Sequence, residues 1–281
     1  MNDVMKPDRI VVGTESEAVA ELFRVLYAPF SRNREKMLIM DIKSAEMTKY
    51  AANCMLATKI SFINEMARLC EHLGADINSV RAGIMEDPRI GPHFLYPGVG
   101  YGGSCFPKDV RSLVRSALEN GLEAKLLQAV EEVNKAQKAL LAEYVEQYFQ
   151  DKGGIKDKTL ALWGLAFKAN TDDMREASAL VIIEKLTAQG MRVRAFDPVA
   201  GKNAARILRD NRLVEIVDDQ YAAVAGADGL AVVTEWNQFR TPDFPRIKKE
   251  LRYAAVFDGR NLYFPKMVRE LGFAYFGIGR K

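Results

Sequence analysis

Thr159-Leu-Ala-Leu-Trp163, then a helical stretch over 176–189, then Arg192-Val-Arg-Ala-Phe196, is the part of the sequence that decides the fold. Strand, helix and strand joined by short turns are the unit from which parallel sheets are built. The alternation continues with a helix near 202–208, a strand at 214–217, a helix at 220–225 and a strand at 229–233. A strand at 254–257, a helix at 266–271 and a strand at 274–276 complete it. Residues 151–281 are therefore expected to form an α/β domain with a doubly wound, mostly parallel sheet, binding ligands at the carboxyl ends of its strands.

Working back from that sheet, Asp151-Lys-Gly-Gly154 reads as a linker. Before it, 126–149 is a long amphipathic helix with Leu126, Val130, Val133, Gln137, Leu140, Tyr144 and Tyr148 along one stripe. At 1.5 Å per residue it spans roughly 36 Å, enough to join two domains and offer a dimer seam; the alternative is an internal core helix. Further helices are expected over 45–73, ended by Gly74, over 77–84, and from Pro107 to about Glu119. Residues 88–103 hold three Pro and five Gly in sixteen positions and read as a shaped loop. Residues 1–43 read strand, helix, strand, too little to bury a core of their own, and resemble the end of something larger. The expected division is 1–43, 44–150 and 151–281.

With 281 residues, 48% of them hydrophobic and 27% charged, the composition is that of a globular chain. A formal net charge of +3 is too small and scattered to argue for nucleic acid, though it suits an anionic small molecule. No apolar run approaches a membrane span, Met1–Ile10 is too polar for a signal peptide, and a cytoplasmic setting is expected. Three widely spaced cysteines fit a reducing compartment, and two histidines without Cys-x-x-Cys or His-x-x-x-His spacing give no start to a metal site.

The most informative segment is Tyr101-Gly-Gly-Ser-Cys105-Phe-Pro-Lys108-Asp109. Its glycines let a ligand approach the backbone, and Cys105 falls at a helix N-terminus where the dipole and Lys108 favour thiolate. Cys105 reads either as a nucleophile or as a small loop residue beside a helix cap, and the segment alone leaves both open. Cys54 and Cys70 sit at buried helical positions and read as inert. Gly98-Val-Gly100-Tyr-Gly-Gly103 formally matches the dinucleotide fingerprint, but it lies between helices and is rejected. Lys49 and Asn53, four apart on a helix, share a face that reads as an oxyanion site or as a solvated surface. Phe167-Lys168, Arg175 and Asp258-Gly-Arg260 follow expected strands, where this type of sheet places binding groups; singly each is an ordinary loop charge.

Taken together, Ala45–Asn53, Arg89–Phe94, Gly98–Asp109, Gly164–Lys168 and Asp258–Asn261 resemble, in order, the motifs of the nucleotide-sugar 6-dehydrogenases, on the side of the UDP-glucose/GDP-mannose family that acts on UDP-glucose. The resemblance spans essentially the whole chain. It implies a Rossmann-like carboxyl-terminal UDP-binding domain, a helical dimerisation and catalytic domain, and the tail of an amino-terminal NAD-binding domain whose glycine fingerprint precedes residue 1. It also implies oxidation of a sugar C6 alcohol to a carboxylate with two NAD, through a Cys105 thiohemiacetal and thioester. Lys49 and Asn53 would hold the oxyanion and water, and Asp109 would assist proton transfer. Phe94, Tyr101, Gly102, Lys108, Phe167, Lys168 and Arg260 would contact the nucleotide sugar. Arg175 would reach NAD, and Arg89 would reach the neighbouring subunit's substrate, making a homodimer the minimal unit. The alternatives are a GDP-mannose substrate, or a nucleotide-sugar binding and dimerisation module without catalysis.

Overall fold

The computed structural model describes residues 6–30 and 36–280, so part of the polar Met1–Ile10 stretch lies outside the described residues. The chain divides into two compact units, Met1–Met55 and Leu56–Lys281.

In the first unit, β1 (Ile10–Gly13) and β2 (Met37–Met40) pair in parallel, Ile10 opposite Met37, with α1 (Glu17–Tyr27) between them in sequence. The Ser16 side chain caps α1 by accepting from the Val19 N–H. Two strands cover little, and Leu22, Val25 and Leu26 of α1 remain exposed. The next helix, α2 (Ile42–Leu73), starts three residues before the apolar period does. The reason is Asp41, whose carboxylate accepts from the Ser44 N–H and whose carbonyl accepts from Ala45.

The second unit continues with α3 (Ile77–Met85), capped by Asp76, then α4 (Phe106–Glu119) and the long α5 (Lys125–Gln150). Its sheet consists of β3 (Thr159–Trp163), β4 (Arg192–Phe196), β5 (Val214–Ile216), β6 (Gly229–Val232), β7 (Ala255–Asp258) and β8 (Ala274–Gly277). All pairings are parallel, in the order β5-β4-β3-β6-β7-β8. Successive side chains of a strand point to opposite faces, so Leu160 and Leu162 enter one core while Ala161 and Trp163 enter the other. The first core is closed by α5 and by α6 (Ser178–Ala188), through Leu141, Val145, Phe149, Ile182 and Leu186. Across the sheet, α8 (Gln220–Val224), α9 (Phe244–Glu250) and α10 (Pro265–Glu270) contribute Val224, Phe244, Ile247 and Val268; α7 (Gly201–Ile207) precedes β5. Burial on both faces is what makes these strands read as continuous apolar runs.

Two expectations change. The sequence pattern shows no element over 234–253, yet α9 lies there, capped by the Asp243 carboxylate on the Arg246 N–H with Pro245 in its first turn. On α5, Leu126 is exposed, whereas Asn134 and Lys138 are buried beside Gln137. That inward face is polar because it binds a loop. Among the described residues, no helix is long and apolar enough to cross a membrane.

Candidate active site

Cys105 is the residue from which α4 springs, with φ −94° and ψ −65°; its carbonyl accepts from the Asp109 N–H at 2.9 Å. Its thiol is exposed, with Sγ 3.7 Å from Ser104 Oγ. Amide N–H groups of the first helical turn have no partner within the helix and concentrate positive potential at this end. Asp109 lies in the same turn, fully buried, with its carboxylate 3.3 Å from Lys108 Nζ.

The loop before Cys105 has no sheet or helix to satisfy its backbone, and buried side chains do so instead. Asn64 Oδ1 accepts from the Gly98 N–H at 2.8 Å, and Gln137 Nε2 donates to the Gly98 carbonyl at 2.7 Å. Ser178 Oγ donates to the Val99 carbonyl at 2.6 Å. Asn134 clasps Tyr101 from both sides, accepting its N–H at 2.8 Å and donating to its carbonyl at 3.1 Å. The chain itself closes on the side of the paired glycines where a Cβ would stand, while Gly102 also lines a cavity. A Cβ at Gly102 would lie 2.3 Å from the Glu176 carbonyl oxygen, and one at Gly103, where φ is +84°, would lie 2.9 Å from the Phe167 ring. The Gly103 N–H donates to the Arg175 carbonyl at 2.8 Å.

Strand order reverses between β3 and β6, and the loops after these strands part to form the crevice in which open α/β sheets bind ligands. A cavity of about 230 Å³ opens there, lined among others by Phe94, Tyr101, Gly102, Phe167, Lys168 and Arg260. Six residues singled out from separate stretches of sequence thus face one space. Arg260 Nε donates to the Val233 carbonyl at 2.7 Å and its guanidinium to the Phe167 carbonyl at 3.2 Å, tying the loops after β3, β6 and β7 together. Asp258, fully buried, shapes the last of these loops by accepting from the Arg260 and Tyr263 N–H groups and the Tyr275 hydroxyl. Burial pushes its carboxyl above the usual aspartate value, against the pull of those N–H groups. Phe94 holds φ at +64°, a strained conformation for a bulky side chain, and its ring meets Phe106 edge-on at 6.0 Å.

Glu235, 3.1 Å from Arg260 Nε, also lines the cavity and was not anticipated, nor were Asn64, Asn134 and Ser178. For Gln137 the signal existed, since a polar residue on an apolar stripe asks for a partner.

The turn after β3 is where a sheet of this kind would cradle a pyrophosphate. Here Asp197 takes that place, its carboxylate accepting from the Leu165 and Ala166 N–H groups at 2.7 and 3.1 Å and from Trp236 Nε1 at 3.1 Å. With those N–H groups taken by the chain itself, this turn is not built to cradle a pyrophosphate.

The remaining singled-out residues lie elsewhere. Lys108 points to Asp109 and does not line the cavity. Arg175 is exposed and paired with Asp173 at 2.7 Å. That hydrogen bond holds its guanidinium above the ordinary value. Arg89 is 87% exposed, paired only locally with Asp87. Lys49 and Asn53 share a face of α2 within the first unit, Lys49 Nζ lying 5.2 Å from the centre of the Tyr50 ring. Among the described residues, no group of three or more His, Cys, Asp or Glu is arranged to hold a metal ion.

Two descriptions of known families match the chain, the central domain of the UDP-glucose/GDP-mannose dehydrogenase family over residues 43–136 and its UDP binding domain over residues 161–265. A UDP-glucose 6-dehydrogenase of Pseudomonas aeruginosa is 53% identical over 283 residues, covering 100% of this chain and 62% of the relative. One from Bacillus subtilis is 42% identical, over 99% of this chain and 62% of the relative. Among solved structures, a UDP-glucose dehydrogenase from the archaeon Pyrobaculum islandicum superposes with a TM-score of 0.85 at 35% identity, covering 100% of this chain and 60% of the other. A UDP-D-ManNAc dehydrogenase from Pyrococcus horikoshii gives 0.83 at 27% identity, over 99% and 61%. The chain thus spans about three-fifths of the length of these relatives. With the central and UDP binding domain descriptions of one family matched in order, the chain belongs to the UDP-glucose/GDP-mannose dehydrogenase family.

Proposed function

We propose that this chain carries the nucleotide-sugar site and the cysteine nucleophile of a UDP-glucose 6-dehydrogenase, working in the cytoplasm as a homodimer. The observation that carries the reading is the cavity where Phe94, Tyr101, Gly102, Phe167, Lys168 and Arg260 converge. Lys168 and Arg260 supply the charge a diphosphate needs, and the aromatic rings suit the faces of a base and a hexose.

In this reading the Cys105 sulfur attacks the C6 aldehyde of the bound sugar, forming a C–S bond while the carbonyl oxygen takes up a proton. After oxidation to the thioester, water adds to the carbonyl, the C–S bond breaks, sulfur leaves as thiolate and the carboxylate is released. Lys49 and Asn53 are assigned the oxyanion and the water, and Asp109 the proton transfers of hydrolysis. Lys108 is assigned a substrate contact, and Arg89, exposed and paired with Asp87, the substrate of a second copy. NAD, when bound, would take up the two hydrides, and Arg175 is the residue assigned to it.

Calorimetry of the full chain with UDP-glucose, UDP, GDP and GDP-mannose tests this directly. UDP-glucose and UDP should bind and the guanosine forms should not. Preference for GDP-mannose would move the assignment to that substrate, and no binding of either would sink it. The purified chain alone should make little NADH, with turnover appearing once the part of the Pseudomonas aeruginosa relative that it does not match is supplied.

A further inference from the structure

We infer that Glu176 is a positioning residue for the Cys105 turn: its carboxylate clamps α4 to α5, and its backbone seats the glycines that precede the nucleophile. The inference deepens the proposed function and rests on it for its kinetic consequence alone.

Glu176 touches the cysteine turn in several ways. One carboxylate oxygen lies 2.6 Å from the Arg111 guanidinium on α4, and the other 3.2 Å from Lys138 Nζ on α5. Arg111 also donates from Nε to the Pro107 carbonyl at 3.0 Å, so the clamp reaches the first turn of the helix that Cys105 begins. Lys138 is 8% exposed on its side chain, and Glu176 is its ion-pair partner. The Glu176 carbonyl fills the space over Gly102, and the neighbouring Arg175 carbonyl accepts the Gly103 N–H.

The backbone of Glu176 adds a second line of argument. It holds φ at +54°, a conformation that L-residues other than Asn, Asp and Gly avoid. Glycine would occupy it with less strain. Glutamate there, carrying a carboxylate shared between two cations, indicates that the side chain is required and not merely the turn. Arg111 and Lys138 also border a second cavity of about 410 Å³, on which Tyr101 and Pro107 lie as well. Space next to the turn allows it to shift once the clamp is opened.

The test compares Glu176→Gln, Glu176→Gly and Glu176→Asp in the full chain. Glu176→Gly keeps the backbone conformation but removes the clamp, which separates the two roles. Amide exchange at Gly103 and Asp109 should be at least tenfold faster in the Gln and Gly variants, with Asp, which keeps the charge but is one methylene shorter, in between. With the missing part of the relative supplied, kcat should fall at least tenfold in Gln and Gly while KM for UDP-glucose stays within twofold, because the cavity residues are untouched. Folded Gln and Gly variants with unchanged exchange and unchanged kcat would overturn the clamp, as would a Gly variant matching wild type while Gln is impaired. If the wild-type chain binds no sugar nucleotide, the functional reading fails, and the exchange rates still decide the clamp. Should Glu176→Gln not fold, Arg111→Lys opens the same contact from the other side and is expected to speed exchange at Asp109.

Discussion

The crevice at the reversal of strand order and the turn that carries Cys105 lie side by side and are held by different means. Phe167, Lys168 and Arg260 follow strands whose backbone groups are paired in the sheet, so their position follows from topology. Gly98 to Gly103 follow no element, and individual buried side chains of Asn64, Asn134, Gln137 and Ser178 pair their backbone. A site supported by a sheet tolerates change at any one residue, whereas a site supported by single amide groups does not. The nucleophile side should accordingly be the brittle one.

Cys105→Ser draws the sharpest line between the two. Replacing the thiol removes the covalent step and should lower turnover of the complemented enzyme by about 10^4-fold or more. UDP-glucose affinity of the chain should change by less than about twofold, or about 0.4 kcal/mol. Iodoacetamide mapping gives an independent check, since Cys105 is exposed while Cys54 and Cys70 are buried. Labelling of Cys105 that is no faster than that of an ordinary thiol and indifferent to UDP-glucose would remove it from the chemistry.

Asn134→Ala tests brittleness itself. It leaves the N–H and carbonyl of buried Tyr101 without the partners they have at 2.8 and 3.1 Å. Each of the two orphaned groups costs about 1–3 kcal/mol, so urea denaturation should show a loss of about 2–6 kcal/mol. Asn134→Asp keeps the acceptor for the Tyr101 N–H but sets a buried carboxylate oxygen against the Tyr101 carbonyl, so its loss should be at least as large. A loss under about 0.5 kcal/mol, the size of an ordinary surface change, would mean that the loop does not depend on this clasp.

The same contrast separates what was legible in the sequence from what was not. Leu160 to Trp163 announce a buried strand because burial on both faces leaves no polar position, and the strands and their binding loops follow from such runs. The cysteine turn was legible through its composition and resemblance, but its supports were not. Asn64, Asn134, Ser178 and Glu176 are ordinary polar residues until the fold brings them to the loop. Spacing also does not reveal that a carbonyl and a ring of the same chain close on one side of these glycines. Helix α9 shows no apolar period in the sequence; its cap and the packing of Phe244 and Ile247 sustain it.

On the crevice side, Lys168→Met keeps most of the aliphatic stem and removes the charge of an exposed residue whose Nζ lies 5.4 Å from the centre of the Phe167 ring. Affinity for UDP-glucose should fall by about tenfold, equivalent to about 1.4 kcal/mol, if a charge-assisted bond to the diphosphate is lost. Stability should stay within about 0.5 kcal/mol of wild type, in contrast to Asn134→Ala. Unchanged affinity would take Lys168 out of the site.

The smallest effect concerns acid, and the two regions should respond with opposite sign. Asp258, under the crevice, has its carboxyl raised by burial above the ordinary 3.8, so the folded chain holds that proton more tightly than the unfolded chain does. Its ionisation works against folding at neutral pH, and the penalty fades as pH falls toward 3.8. Glu176, beside the cysteine turn, is held below the ordinary 4.5, first by its hydrogen bond to Arg111 and further by Lys138. Its contribution is fully present above 4.5 and is lost as pH falls through the lower, folded value. The carboxylate is partly exposed, so solvent screening limits this contribution to about 0.2–1 kcal/mol. Urea midpoints followed from pH 7 downward should therefore show Glu176→Gln less stable than wild type by a constant amount until about pH 4.5 and converging with it below. Asp258→Asn should instead alter the slope above that point. A gap for Glu176→Gln that closes near neutrality would show that its carboxylate is not held by Arg111 and Lys138, and the contrast between the two regions would lose its electrostatic half.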